Sequence, residues 1–409
     1  MAEIGNFVIY IIMICAVLGA FASIRNDEEG LGKEFIEGLN SIGPIFLPVA
    51  GIMASIPFLS AAIEGGIGPL FALIGADPAI AATSIIAVDM GGYQLAEALA
   101  QTTDSWIMAM VVGYMAGATI VFSIPVGLAM LAKRDHKYMA LGIMSGILSV
   151  PVGVFITCAI LSFTNLEVRD AISTSAQPVH DIGLTLGVIL ANLAPLIVFC
   201  GAIAAGLRFV PEMMIRGFLW FGKIMYAGIT IVVVFSIVEY FTGFFSNVFG
   251  AWGFDPIIAD ADDQFRALEI AGYIGIMLAG AFPMVYLIKK YLAKPMETVG
   301  QRIGLESNGA AGILAAVANV LALYRLIGDM RAKDKVLTIA FAVCAAFAFG
   351  DHLAFTANFQ PSMILPLLLG KLGGGATGFM LAHWLSVPTA EAIERDGDEP
   401  KPAPAGAPA

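Results

Sequence analysis

Four stretches of this chain, Ile4–Ile24, Trp106–Ala132, Tyr138–Phe163 and Ile182–Leu207, each run for more than 20 residues without a charged side chain. About 20 predominantly apolar residues, wound as a helix, cross a hydrocarbon core of roughly 30 Å. Only a helix satisfies its own backbone there, and runs that do not alternate exclude a lipid-facing β-barrel. Gly217–Phe241, with Lys223 and Glu239, and Ala267–Ile288, with Glu269, fit the same ruler. Ala20-Phe21-Ala22 resembles a signal cleavage site, but the run before it opens on Glu3 and lacks Lys and Arg, so a retained helix is expected. Composition agrees: 13% of the 409 residues are charged, against roughly a quarter in a soluble domain. The expected fold class is an all-α, polytopic helical membrane protein.

The remaining charge orients the helices. Lys133-Arg134-Asp135-His136-Lys137, Arg208 with Arg216, and Lys289-Lys290 with Lys294 and Arg302 alternate with connections poor in Lys and Arg. Those connections are Thr164–Asp181, which carries Arg169 alone, and Thr242–Phe265, which carries neither. Basic loops stay on the cytoplasmic side, so Thr242–Phe265, with Trp252 and four aspartates, is predicted to be the main external loop. A formal net charge of −11 leaves no basic stripe for nucleic acid. Much of that acid falls in residues 27–37 and in the segment 391–399. Cys15, Cys158, Cys200 and Cys344 are isolated in apolar runs and read as small buried hydrophobes.

Two regions are apolar yet broken by Pro, Gly and acids. Ser41–Glu97 contains Pro44, Pro48, Pro57, Pro69, Pro78 and Asp89-Met90-Gly91-Gly92; Leu305–Gln360 contains Asn319, a basic patch from Arg325 to Lys335, and Gly350-Asp351-His352. Gly38-Leu39-Asn40-Ser41-Ile42-Gly43 and Gly304-Leu305-Glu306-Ser307-Asn308-Gly309 agree at four of six positions, and Asp89 and Asp351 follow at similar distances. This layout suggests two weakly repeated halves, 38–132 and 304–387, with broken or re-entrant helices. Broken segments at matching places in two halves point to a transporter binding site. Full spans over Ser41–Ile63 and Leu305–Leu326 give eleven helices and an inverted pair, but put Arg331, Lys333 and Lys335 outside. Re-entrant hairpins give nine spans and a parallel pair. The length of each run favours full spans, for about 10–11 in all. Residues 1–388 then form one membrane domain, and 389–409 a short acidic, then Pro/Ala-rich tail expected to be disordered.

Ionisable groups at bilayer depth are expensive and count as functional-site hypotheses by default. Asp89 precedes Gly91 and Gly92, which would let a helix unwind and present bare carbonyls. Asp351 follows Gly350 at a second break, with His352 beside it. A carboxylate at a helix break suits a small cation or ammonium; its structural alternative is a helix cap at the membrane surface. His352 could tune Asp351 or bond a hydroxyl, or simply pack. Tyr93 and Phe355 would suit a cation–π wall. Asn319 and Asn192 either line a path or join helices, and Glu97 fits the membrane interface. Gly373-Gly374-Gly375 with Gly378 reads as close helix packing, since no Gly-Lys-Ser/Thr follows. The four histidines lack a metal-binding spacing and no nucleophile elbow occurs. The chain is therefore not expected to be an enzyme, nor to need a cofactor.

Several of these stretches carry a resemblance. Asp89-Met90-Gly91-Gly92, Thr119-Ile120-Val121-Phe122-Ser123-Ile124-Pro125-Val126, Ala140-Leu141-Gly142 through Pro151-Val152-Gly153, Leu207-Arg208-Phe209-Val210-Pro211-Glu212, and Ala340 through Gly350-Asp351-His352-Leu353 are similar to the ethanolamine permease family of bacterial ethanolamine-utilisation operons, EutH. The resemblance implies a multi-pass protein of the bacterial cytoplasmic membrane that takes up ethanolamine for catabolism. A small ammonium with one hydroxyl needs a carboxylate, an aromatic face and a hydrogen-bonding partner. Asp89 or Asp351, Tyr93, and His352 or Asn319 are the candidates, shaped by Gly91 and Gly92. The expected partners are ethanolamine and the lipid bilayer, with a homo-oligomer left open. The alternatives are an H⁺- or Na⁺-coupled symporter of another amine or amino acid, or a membrane sensor or scaffold, for which the chain after Pro388 is short.

Overall fold

The computed structural model describes residues 2–164 and 166–398. They are helical almost throughout; two two-residue strands, Glu167–Val168 and His180–Asp181, pair in one connection. Helices α1 (Ala2–Arg25), α2 (Gly30–Asn40) running into α3 (Ile42–Ala54), α8 (Thr103–Val112) running through a π-helical stretch (Gly113–Ser123) into α9 (Ile124–Met130), and α10 (His136–Ile147) with α11 (Val150–Thr164) are long and apolar enough to cross. So are α12 (Leu186–Phe209), α13 (Pro211–Thr242), α15 (Ala267–Arg302) and α20 (Ile364–Leu385). Short helices α4 (Ile56–Gly65), α5 (Gly68–Leu73) and α14 (Phe244–Phe249) lie between them.

Between these crossings two segments fold back on themselves. Helices α6 (Pro78–Thr83) and α7 (Gly92–Leu99) pack against each other. The Asp77 carboxylate ties their outer ends together, accepting N–H bonds from Ala79 and from Gln101, each at 2.9 Å. Asn192 of α12 accepts the Asp77 N–H, so this amide joins helices. Helices α16 (Ser307–Ala318) and α17 (Val320–Ile327) pack likewise. Their base is closed by Arg331, which donates to the Gly304 carbonyl and pairs with Glu306 and Asp334. Asn308 closes it further by donating to the Asp329 carbonyl.

Leu305–Leu326 is thus a re-entrant hairpin, not the full span that its length favoured. Asn319 breaks it: extended at φ −159°, ψ 124°, it caps α17 by accepting the Leu321 N–H. The hairpin returns Arg331, Lys333 and Lys335 to the side of the other basic loops, where Lys335 forms a buried 2.6 Å ion pair with Asp135. Ser41–Ile63 is likewise no single unit, because its crossing starts at Gly30 and turns at Ser55.

With the basic loops set on the cytoplasmic side, the first hairpin enters from the outer face, and the uninterrupted crossing α8–α9 follows it. The second enters from the cytoplasmic face, and a broken crossing follows: α18 (Ala332–Ala345), an unwound stretch, then α19 (Asp351–Phe359). Every described Lys and Arg then lies on the cytoplasmic side or within the membrane, apart from Arg169 and Arg266. Asp89 sits on a hairpin tip and Asp351 on a broken span, so they do not hold equivalent places, as the 38–132 and 304–387 alignment suggested. Helix α21 (Val387–Asp398) packs on α18 and α20, and Glu394 accepts the Ala332 N–H. The expected disordered tail therefore begins as a helix anchored by that bond; residues 399–409 lie outside the described residues.

The four cysteines are free and buried, which makes cysteine mapping direct. A cysteine at Lys333 is expected to react with an impermeant thiol reagent only from the cytoplasmic side; labelling from outside would contradict the hairpin. Asp77→Ala leaves two N–H groups unbonded at the outer base, each worth about 1–3 kcal/mol when buried. A clear drop in melting temperature in detergent is expected, against no change for exposed Asp181→Ala.

Candidate functional site

A backbone break inside a membrane must find partners for its freed polar groups. The two breaks of the second unit supply each other. Phe347 and Phe349, in the unwound stretch between α18 and α19, donate N–H bonds to the carbonyls of Ala316 and Val317 at the end of α16. The approach is so close that a Cβ on Gly350 would sit 2.2 Å from the Ala318 carbonyl oxygen. Phe347 holds φ at 60°, a conformation costing a bulky L-residue roughly 1–2 kcal/mol.

The first unit repeats the arrangement on the other side. The tip of its hairpin rests on the π-helical stretch, where a Cβ on Gly117 would lie 2.2 Å from the Ile86 carbonyl oxygen. Gly91 takes φ +89° there, which only glycine adopts freely, and a Cβ on Gly92 would strike the Ala87 carbonyl. Thr119 of the π-helical stretch donates to the Val343 carbonyl and ties the two crossings together.

Where tips and breaks converge lies a cavity of about 410 Å³. Asp89 and Met90 reach it from the first hairpin, Asn319 and Leu321 from the second, Phe347, Asp351 and His352 from the broken span, and Ala118 and Phe122 from the π-helical stretch. Its far wall is α2–α3, including exposed Glu37 and Asn40 on the cytoplasmic side. The Asp89 carboxylate stands 3.9 Å from His352 Nε2. His352 is buried between the rings of Tyr114 and Phe347, at 4.8 and 5.2 Å, and its Nδ1 has no hydrogen-bond partner among the described residues. Four of the expected residues (Asp89, Asp351, His352 and Asn319) therefore share one cavity, while Gly91 and Gly92 shape the turn behind it.

Tyr93 is elsewhere. It is fully buried, 4.5 Å from Trp106 and edge-on to Phe355 at 5.5 Å, and its hydroxyl accepts from Gln360 Nε2 at 2.9 Å. Gln360 also bonds the backbone of Arg169 in both directions. The Arg169 guanidinium donates to five carbonyls, among them Asn358 and Phe359 at the end of α19. Tyr93, Gln360 and Arg169 thus form one bonded cluster on the outer side of Asp89, at the start of α7.

Lys371 escaped the sequence reading. It lies within α20, 1% exposed, and donates to the Tyr114 carbonyl at 2.9 Å. Its ammonium lies 6.0 Å from the centroid of the Tyr114 ring. The available signal was a single cation inside the apolar run Ile364–Leu385. The neighbouring glycines pack helices, as expected: Gly374 lies against Cys344 of α18 and Gly153 of α11. No cluster of His, Cys, Asp and Glu among the described residues could hold a metal ion.

Substituting Gly350 tests the mutual support of the breaks. Gly350→Ala must displace backbone, so loss of folded protein in detergent size-exclusion profiles is expected, whereas Gly328→Ala, with open space around it, leaves the profile unchanged.

Comparison with known proteins bears on this geometry. The family model described as "Ethanolamine utilisation protein, EutH" matches residues 4–385. A protein of Listeria monocytogenes named "Probable ethanolamine permease EutH" is 36% identical over 385 residues, covering 94% of this chain and 95% of its own. Its namesake in Escherichia coli is 36% identical over 367 residues, 87% of this chain and 86% of its own. The Bacillus subtilis "Uncharacterized protein YxeR" is 32% identical over 386 residues, 94% and 95% of the two chains. No solved structure matches. Matched from its first crossing to its last, the chain belongs to the EutH family of multi-pass bacterial membrane proteins.

Proposed function

We propose that this protein is a permease that takes up ethanolamine, as its ammonium ion, across the bacterial cytoplasmic membrane without transforming it. The observation that carries the reading is the cavity in which Asp89 and Asp351, from two different broken elements, meet beside His352 and Asn319. The chemistry of the ligand fits these groups. The ammonium is held by the two carboxylates, and the hydroxyl by His352 or the Asn319 amide. The relatives' names, ethanolamine permease, supply the substrate class independently.

Transport follows by alternating access. In the present conformation the cavity extends to Glu37 and Asn40 on the cytoplasmic side, and Tyr93, Gln360 and Arg169 seal the outer side. The units 77–130 and 306–359, each a hairpin followed by a crossing, enter from opposite faces. An inverted pair of this kind has two equivalent packings. Exchanging them breaks the Tyr93–Gln360 seal and closes the cytoplasmic mouth.

The test is uptake of labelled ethanolamine into proteoliposomes. Wild type is expected to transport above empty liposomes. Asp89→Asn and Asp351→Asn are each expected to lower uptake about 30-fold or more, because losing one partner of a buried charge pair costs about 2 kcal/mol at least. Wild-type uptake equal to empty liposomes would overturn the function. Full activity in both variants would overturn the site.

A further inference from the structure

The central cavity is larger than ethanolamine needs. Four non-hydrogen atoms fill about 120 Å³ when each takes the share of a liquid water molecule, and the cavity measures about 410 Å³. Asp89, Asp351, His352 and Asn319 bring polar groups to it, but most of the remaining lining is apolar. Phe122, Phe282 and Phe347 belong to that part, with the rings of Phe122 and Phe347 edge to face at 5.8 Å. Ethanolamine, with two methylenes, leaves such a wall largely without a partner.

The open space continues on the apolar side. A second cavity of about 520 Å³ lies between α3, α9 and α13. Pro44, Pro48, Met90 and Phe122 line both cavities. Beyond them the second is walled by side chains such as Leu47, Val121, Val126 and Ile229. Lys223 and Tyr226, the polar side chains on its lining, are exposed, which sets them at its mouth. Met90 and Phe122 are half-buried beside fully buried Ala87 and Ala118, as side chains with open space on two faces must be. Met90, unbranched and with three rotatable bonds, can move aside for a chain passing between the two cavities.

A secondary ammonium keeps what the polar end recognises. It has its full positive charge, two N–H groups for the two carboxylates, and the hydroxyl two carbons away. Its added alkyl group supplies the apolar surface that ethanolamine lacks. From these observations we infer that the central site also takes ethanolamines carrying one unbranched alkyl chain on nitrogen, the chain lying against Phe122 and passing Met90 into the chamber between α3, α9 and α13. The inference rests on the permease reading for the place of the ammonium, and it widens the substrate class to N-alkyl amino alcohols. Met90 and Phe122 then set which substituents pass, and Val126 with its neighbours sets how long they can be.

The experiment is displacement of radiolabelled ethanolamine from the full-length protein in lipid nanodiscs, by unlabelled ethanolamine and by N-hexylethanolamine. Each methylene buried strengthens binding about fourfold, so N-hexylethanolamine is expected to displace the label from wild type at least 10-fold more effectively than ethanolamine. Val126→Trp fills the chamber beyond Met90 and is expected to cut that advantage to threefold or less, both ligands being measured on the same preparation. Ala129→Phe, at an exposed position on the same wall, gives the same reading should Val126→Trp not fold. N-hexylethanolamine no better than ethanolamine on wild type, as when a lipid chain fills the chamber, would overturn the inference and leave the permease standing. An advantage undiminished in both variants would overturn the route past Met90. Wild type without saturable ethanolamine binding would overturn the permease reading itself.

Discussion

Inside a bilayer a backbone N–H or carbonyl without a partner is worth several kcal/mol, and this fold has to interrupt its helices at bilayer depth in several places. It does so by making the interruptions each other's partners. The N–H groups of Phe347 and Phe349 bond the terminal carbonyls of α16. The tip of the first hairpin lies on the π-helical stretch, which approaches closely because position 117 has no side chain. The cavity exists because three such breaks lie together, and its acids are where they are because the breaks are. Asp89 rides a hairpin tip and Asp351 opens α19.

The same constraint limits where positive charge can stand. Cations gather on the cytoplasmic side, where Arg331 and Lys335 fasten the base of the second hairpin. The two outer arginines are both engaged, Arg169 by carbonyls and Arg266 by aspartates. Lys371 is held within a crossing, on a carbonyl of the π-helical stretch. Among the described residues the outer side thus carries no cation but these two arginines, while two acids line the central cavity.

Much of this was legible in the residues. Charge-free runs gave the crossings, because the length needed to span hydrocarbon is set by the membrane. The alternation of basic loops agrees with the fold, which gathers Arg331 and Lys335 on the side of Asp135. The break residues Asp89, Asn319, Asp351 and His352 were visible because Gly, Asn and acids are out of place in apolar runs, and the cavity collects all four. Less legible was whether Leu305–Leu326 crosses or turns back. Hydropathy is the same for both, and the deciding contact, Arg331 on Gly304, joins residues far apart in sequence. The crossing from Gly30 was obscured by Lys33, Glu34 and Glu37 at its start. Tyr93 looked like a binding wall because it follows the break, but the direction of α7 points it at Trp106 and Gln360. Short glycine patterns suggested a repeat with Asp89 matched to Asp351, whereas the folded units are a hairpin plus a crossing, whose equivalence lies in shape.

The central claim is that the cavity at the converging breaks holds the substrate and opens to the cytoplasm in this conformation. Asn319→Cys in inverted membrane vesicles tests it most directly, with the native cysteines buried. A thiol reagent carrying an ammonium group is expected to modify position 319 from the cytoplasmic side, at a rate that falls as ethanolamine is added. Modification unaffected by ethanolamine, or a cysteine unreachable from that side, would contradict the account.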